Sequence, residues 1–239
     1  MIEKTKPIWP WTSLLAAAAL LTISGATAQP GGQHVMVLQG GTLIDGTGAA
    51  PITDAVVVVQ GNRITAVGKR GQVRIPAGAQ VIKTDGRTIL PGLIDSHTHT
   101  QEWHIPMFTH YGITAFQDKY IDTGWNVAER EALRTGAMKG PRMYNSGQNL
   151  SGNLFAGDVH PALTVEDARN DAKSLVANHV DIINVTHDLS FDQLRAVIEV
   201  GKEAGIPVMG HTQNLRIASA MGYRFQEHMW SVATAYIDP

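Results

Sequence analysis

From about Leu90 onward, short apolar runs alternate with longer segments of helical period, and no other feature constrains the fold as strongly. Six β-rich runs stand at 93–98, 113–118, 142–147, 181–186, 207–212 and 224–229. Between them lies TVEDARNDAKSLVANH, opened by Thr164 with acidic residues in its first turn. A second such segment is SFDQLRAVIEVGKEAG, where Ser190 and Gln193 have capping-box spacing and Gly205 stands where a C-cap belongs. Strand and helix in alternation build a parallel sheet through right-handed crossovers. The expected class is α/β: a TIM-type (β/α)8 barrel, incomplete, with about six βα units in residues 90–239.

Residues 29–89 follow a different rule. HVMVLQGGTLID and DAVVVVQGNRITAVG are rich in Val, Ile and Thr and are cut by Gly, Asn and Asp. Gly61-Asn62 reads as a two-residue hairpin turn, and Asp85-Gly86 in QVIKTDGRTIL as a second candidate. A small antiparallel, sandwich-like β-domain is expected here, ahead of the barrel.

Residues 1–28 belong to neither unit. Lys4 and Lys6 precede SLLAAAALLTIS, and Ala26 and Ala28 place small residues where a signal peptidase reads. The apolar run is too short to span a bilayer comfortably. Export to the periplasm or the medium is expected, with cleavage after Ala28, Gln29 as the new N-terminus and no stable membrane anchor afterwards. No Cys follows the apolar run, which excludes lipid attachment through that residue.

Composition narrows the chemistry. With 239 residues, 44% of them hydrophobic, the chain can bury a substantial core. A net charge of −2 without a basic run gives no footprint for nucleic acid. There are ten His and no Cys, so a metal ion would have to use His, Asp or Glu. The stretch LPGLIDSHTHT ends an apolar strand in His97 and His99, which share one face of an extended chain. His211 lies near the end of the fifth run and His228 near the end of the sixth. In a barrel the C-terminal strand ends converge on the active-site face, so four imidazoles at three such ends read as a metal site. His228 taken by itself could equally be a hydrogen-bonded core residue.

Other polar and aromatic residues carry less weight. His187 and Asp188 follow the fourth run and read as a loop pair in solvent, since His187 has the opposite strand parity to Asn184. His104 and His110 are expected on a helix surface. Trp103, Trp125 and Tyr144 suit a substrate pocket or ordinary core packing equally well.

LPGLIDSHTHT, together with GGTLIDGTG, GNRITAVG and LRTGAMKGPRMYNSG, resembles the metal-dependent amidohydrolase superfamily. The similarity runs from about Val35 to Trp230 and is strongest toward the branch of imidazolonepropionases and Xaa-Pro dipeptidases. It implies that His97 and His99 bind one metal ion and that His211 and His228 bind a second. It also implies a carboxylated lysine on the fourth strand bridging the ions, and an aspartate on the eighth strand moving protons. Asn184 stands at the lysine position, and its neutral amide cannot form a carbamate. With Pro239 reached after six strands, the aspartate is not in the sequence, and the chain reads as the front portion of an enzyme. The activity implied is hydrolysis of carbon–nitrogen bonds in small amide or dipeptide-like substrates by water activated on one or two divalent ions, most simply zinc. With Asn184 in place of the lysine, either His97, His99 and His211 hold one ion with His228 positioning or protonating substrate, or two ions are bridged by hydroxide or another carboxylate. The first is the reading adopted. A non-catalytic metal- or ligand-binding relative and an inactive fragment are the competing readings, and a homo-oligomer is left open.

Overall fold

The computed structural model describes residues 34–119, 122–152 and 161–237. The expected signal peptide, residues 1–28, and its cleavage site lie outside them. The chain divides after Leu90 into two compact units.

The first unit contains β1 (Val35–Gln39), β2 (Thr42–Leu43), β3 (Ala55–Gln60), β4 (Arg63–Lys69), β5 (Gln80–Lys83) and β6 (Thr88–Ile89). β3 and β4 form the expected hairpin across Gly61-Asn62, with Gly61 at φ +59°, where glycine meets no steric penalty. Both faces of β3 are buried. Val56 and Val58 pack with Val37 on one side, while Ala55 and Val57 pack with Leu43 on the other. The expectation of an antiparallel sheet needs correction. The order is β4-β3-β1-β5, and β1 pairs with β5 in parallel, as β2 does with β6. Asp85-Gly86 does make a turn, closed by Arg87 N–H on the Thr84 carbonyl at 2.9 Å. It passes the chain from one sheet to another instead of folding it back, so no hairpin forms there.

The second unit is a succession of βα units. Its elements are β7 (Leu93–Thr98), a 3-10 turn at Glu102–His104, α1 (Ile105–His110), β8 (Ile113–Asp118), α2 (Thr123–Thr135), β9 (Arg142–Asn145) and α3 (Val165–Ala177). Then come β10 (Ile183–Val185), α4 (Phe191–Ala204), β11 (Val208–Gly210), α5 (Leu215–Ala220), β12 (Phe225–Gln226) and α6 (Trp230–Ile237). Every strand pairing here is parallel, in the orders β7-β8-β9 and β10-β11-β12. The Leu150–Val185 bridge joins the two sets: Leu150 N–H donates to the Asn184 carbonyl and Thr186 N–H to the Leu150 carbonyl, both at 2.9 Å. The result is a parallel wall in strand order. Among the described residues its edges, β7 and β12, are not paired to each other.

Local sequence explains the helices. Thr164 and Ser190 each accept the N–H three residues on, and Asp167 and Gln193 return the bond to the cap N–H, so both capping boxes form. Gly205 ends α4 at φ +71°, the left-handed conformation a helix C-cap demands. The apolar faces of α3 and α4 close over β10 and β11 around Ala172, Leu175, Ile183, Val185, Leu194, Val197 and Val208. Each large aliphatic side chain buried this way contributes about 1.5–3 kcal/mol.

Candidate metal centre

The candidate side chains sit at the strand ends. β7 stops at Thr98, between His97 and His99; β11 stops at Gly210, one residue before His211; β12 stops at Gln226, just before Glu227 and His228. The ladders are shorter than the runs 181–186, 207–212 and 224–229 because the backbone turns out of register at their ends. Gly210 adopts φ +122°, and a Cβ there would lie 2.2 Å from the Val185 carbonyl oxygen. Only glycine lets β11 end that close to β10, where His211 N–H donates to the same carbonyl at 2.8 Å. His228 takes a left-handed φ of +58°, uncommon for a residue with a Cβ.

These turns gather the imidazoles. Ring centroids are 5.1 Å apart for His97 and His99, 4.9 Å for His97 and His228, 6.1 Å for His97 and His211, and 5.1 Å for His211 and His228. The His97 and His99 Nε2 atoms face each other at 3.3 Å. His99 Nδ1 lies 2.7 Å from the Lys119 carbonyl oxygen, so it carries the proton and its Nε2 presents a lone pair. His97 Nδ1 lies 2.9 Å from Glu227 Oε2, a charge contact that favours the proton on Nδ1. Two lone pairs held that close repel unless a proton or a cation lies between them. Two nitrogens on one tetrahedral zinc, at bond lengths of about 2.0–2.1 Å, are about 3.3 Å apart. The pair therefore fits an ion.

Two residues that sequence reasoning missed complete the cluster. Lys119, directly after β8, is fully buried, with Nζ 3.0 Å from Glu227 Oε1. Glu227 is 7% exposed, and its Oε2 is also 4.0 Å from His211 Nδ1. These are close charge contacts without hydrogen-bond alignment. Asn184 Oδ1 is buried with no hydrogen-bond partner, and the buried Glu227 carboxylate meets His97 Nδ1 and Lys119 Nζ only through such charge contacts. Burial opposes ionisation of Glu227, but contact with His97 and the Lys119 charge outweigh it and hold the carboxyl below its usual range. Burial pulls Lys119 down, against Glu227 and Asp118. Burial also lowers His211; Glu227 opposes that shift and the neighbouring His228 and His97 deepen it.

Behind His99 lies a polar scaffold. Asp118, fully buried, accepts Thr100 N–H at 2.6 Å and Asn126 Nδ2 at 2.6 Å, and Asn126 Oδ1 accepts Gly147 N–H at 2.9 Å. Lys119 N–H donates to the Thr98 carbonyl at 2.9 Å, locking the end of β8 to the end of β7.

The remaining candidates fall elsewhere. Asn184 is buried in β10, its Nδ2 donating to Asn149 Oδ1 at 2.8 Å. Asp188 corrects the solvent-loop reading: it is half-buried and accepts from Ser151 Oγ at 2.8 Å and from Thr186 Oγ1, whereas His187 is exposed. His104 accepts Gln101 N–H at 2.9 Å in the 3-10 turn, and His110 is exposed at the end of α1. Trp103, Trp125 and Tyr144 are all exposed, so core packing is not their role. A cavity of about 420 Å³ adjoins the cluster, lined by Ser96, His97, Met209, Phe225, Glu227 and His228 among others. Among the described residues, no three His, Asp or Glu side chains already stand in a finished ligand geometry. The donors converge without closing on a single point.

No protein-family model matches the chain. An imidazolonepropionase of Streptomyces coelicolor is 24% identical over 241 residues, covering 78% of this chain and 60% of its own length. An adenine deaminase of Paracoccus denitrificans is 31% identical over 101 residues, 42% of this chain and 16% of its own. Among solved structures, the ochratoxinase of A. niger superposes with a TM-score of 0.70 at 20% identity, covering 82% of this chain and 60% of that one. A Xaa-Pro dipeptidase with bound methionine gives 0.68 at 20% identity, covering 81% and 61%. The chain is thus similar in sequence to an imidazolonepropionase and an adenine deaminase, and it shares an α/β fold with these solved hydrolase structures. The chain spans about 60% of the length of the imidazolonepropionase it matches, and is partial relative to such homologues.

Proposed function

We propose that the chain carries the metal-binding part of a hydrolase that cleaves carbon–nitrogen bonds in small amide, cyclic-amide or dipeptide-like substrates. The observation that supports this most is the convergence of His97, His99, His211 and His228 from three strand ends, with two Nε2 lone pairs facing at 3.3 Å. Similarity to an imidazolonepropionase and to a Xaa-Pro dipeptidase points to the same bond class.

In this reading His97, His99 and His211 hold a divalent ion, for which zinc suits the nitrogen and oxygen donors. Bound there, the ion would supply an acidified water and a Lewis acid for the scissile carbonyl. His228, beside the 420 Å³ cavity, binds the same ion or orients the substrate and protonates its leaving nitrogen. Glu227 fixes the ring of His97 through Nδ1, as carboxylates commonly do behind a ligating histidine. The protein is exported by residues 1–28.

The test is amine release from a panel of N-acyl amino acids, Xaa-Pro dipeptides and cyclic amides by a purified, zinc-loaded chain extended through an eighth strand. Hydrolysis that a chelator abolishes and zinc restores is expected; chelator-insensitive hydrolysis would contradict the assignment. A second reading, a relative that binds metal or ligand without catalysis, is favoured by Asn184, whose amide is committed to Asn149 and cannot bridge two ions as a carbamate. Tightly bound zinc without turnover of any substrate would select it.

A further inference from the structure

Lys119 is a charge that a cluster of metal-binding imidazoles does not call for. It sits at the end of β8 with no exposed surface, its Nζ 3.0 Å from Glu227 Oε1, 3.1 Å from Met209 Sδ and 3.4 Å from Gln117 Oε1. Buried charges persist only when an opposite charge is at hand, and Glu227 is that charge. Glu227 in turn reaches His97 Nδ1 at 2.9 Å, and His97 Nε2 faces His99. An unbroken path therefore runs from an internal ammonium, through a carboxylate, to the ring of His97.

Resting on the metal reading above, we propose that the Lys119 ammonium is a resident cation that takes the place of a second metal ion, so that the site accepts a single divalent ion. Three features carry this. Glu227 Oε2 lies 2.9 Å from His97 Nδ1 and 4.0 Å from His211 Nδ1, and Nζ stands 3.0 Å from its Oε1 as a close charge contact. A second divalent ion between His211, His228 and Glu227 would stand next to that ammonium in a buried setting, where like charges repel strongly. Asn184, on the strand between β9 and β11, brings no negative charge to offset the repulsion. Lys119 is thus a positioning residue. It neutralises Glu227, and Glu227 keeps the His97 proton on Nδ1 and the lone pair on Nε2.

The experiment is metal stoichiometry by equilibrium dialysis against zinc followed by metal analysis, with no turnover required. The parent protein is expected to hold one zinc per chain, Lys119→Met two, and Lys119→Arg, which keeps the charge, one. Two equivalents in the parent, or one in a Lys119→Met protein that retains the parent's circular dichroism, overturns the proposal while leaving the metal reading intact. No bound zinc in the parent overturns the metal reading and this proposal with it. Should Lys119→Met fail to fold, ¹⁵N spectra of the parent's histidine rings decide. The proposal requires His97 as the Nδ1–H tautomer in the metal-free protein, and an Nε2–H tautomer overturns it.

Discussion

The segment from β7 to β9 with α2 buries Asp118, Lys119, Asn126, Glu129 and Asn145, whereas the segment from β10 to β12 with α3 and α4 buries Ile183, Val185, Leu194, Val197 and Val208. Both belong to one parallel wall and contribute imidazoles to one cluster. The first has a small apolar core, Ile105, Phe116 and Met143, and spends its interior on polar groups that bond one another. The second is a continuous aliphatic core. The contrast separates two tasks: one half supplies packing energy, and the other holds charged and polar groups in fixed positions behind His97 and His99.

If that division is right, the largest stability loss comes from the aliphatic half. Ile183→Ala, at a fully buried position between β11 and α4, should cost about 2–5 kcal/mol, read as a lower urea midpoint with an unchanged slope. A loss below 1 kcal/mol would break the comparison.

The polar half should show itself in pH dependence. Burial lifts the Glu129 carboxyl from its ordinary 4.5 to about 7, with the charges of Asp118 and Glu102 adding to the shift. An acid whose folded pKa exceeds its unfolded one binds its proton more tightly when folded. Its contribution is therefore full below about pH 4.5 and is lost as the pH rises through about 7. The melting temperature should fall between pH 5 and pH 8, and Glu129→Gln should flatten that fall. Equal slopes in parent and variant would remove Glu129 from the account.

A smaller effect tests local structure. Ser190→Ala removes the cap of α4 and should cost about 1 kcal/mol. The change should leave zinc binding untouched, because α4 touches the site only through the core; loss of zinc on that substitution would blur the two halves.

The same contrast explains what could be read from the sequence. The caps at Thr164, Ser190 and Gly205 were legible because a helix end is written within four residues. His97, His99, His211 and His228 were legible because strand ends converge in a βα fold whatever the details. Lys119 and Glu227 were not, since each finds its partner across more than 100 residues and a lone Lys or Glu resembles a surface residue. A signal did exist: Lys119 follows directly on the β-rich run ITAFQD, and Glu227 lies within RFQEHM, beside a candidate ligand. Asp188 was misplaced for the same reason, its bond to Ser151 spanning 37 positions. Strand direction in residues 34–89 also escaped, because alternation gives the buried face but not the partner.

In the proposed reading His97 and His99, brought together at the ends of β7 and β8, anchor a metal ion. Zinc content after equilibrium dialysis of the parent, His97→Ala and His104→Ala proteins tests it most directly. His104 lies in the 3-10 turn, bonded to the Gln101 amide and outside the cluster. Zinc is expected in the parent and in His104→Ala and is expected to be lost from His97→Ala, with all three proteins equally folded. Full occupancy in His97→Ala would contradict it.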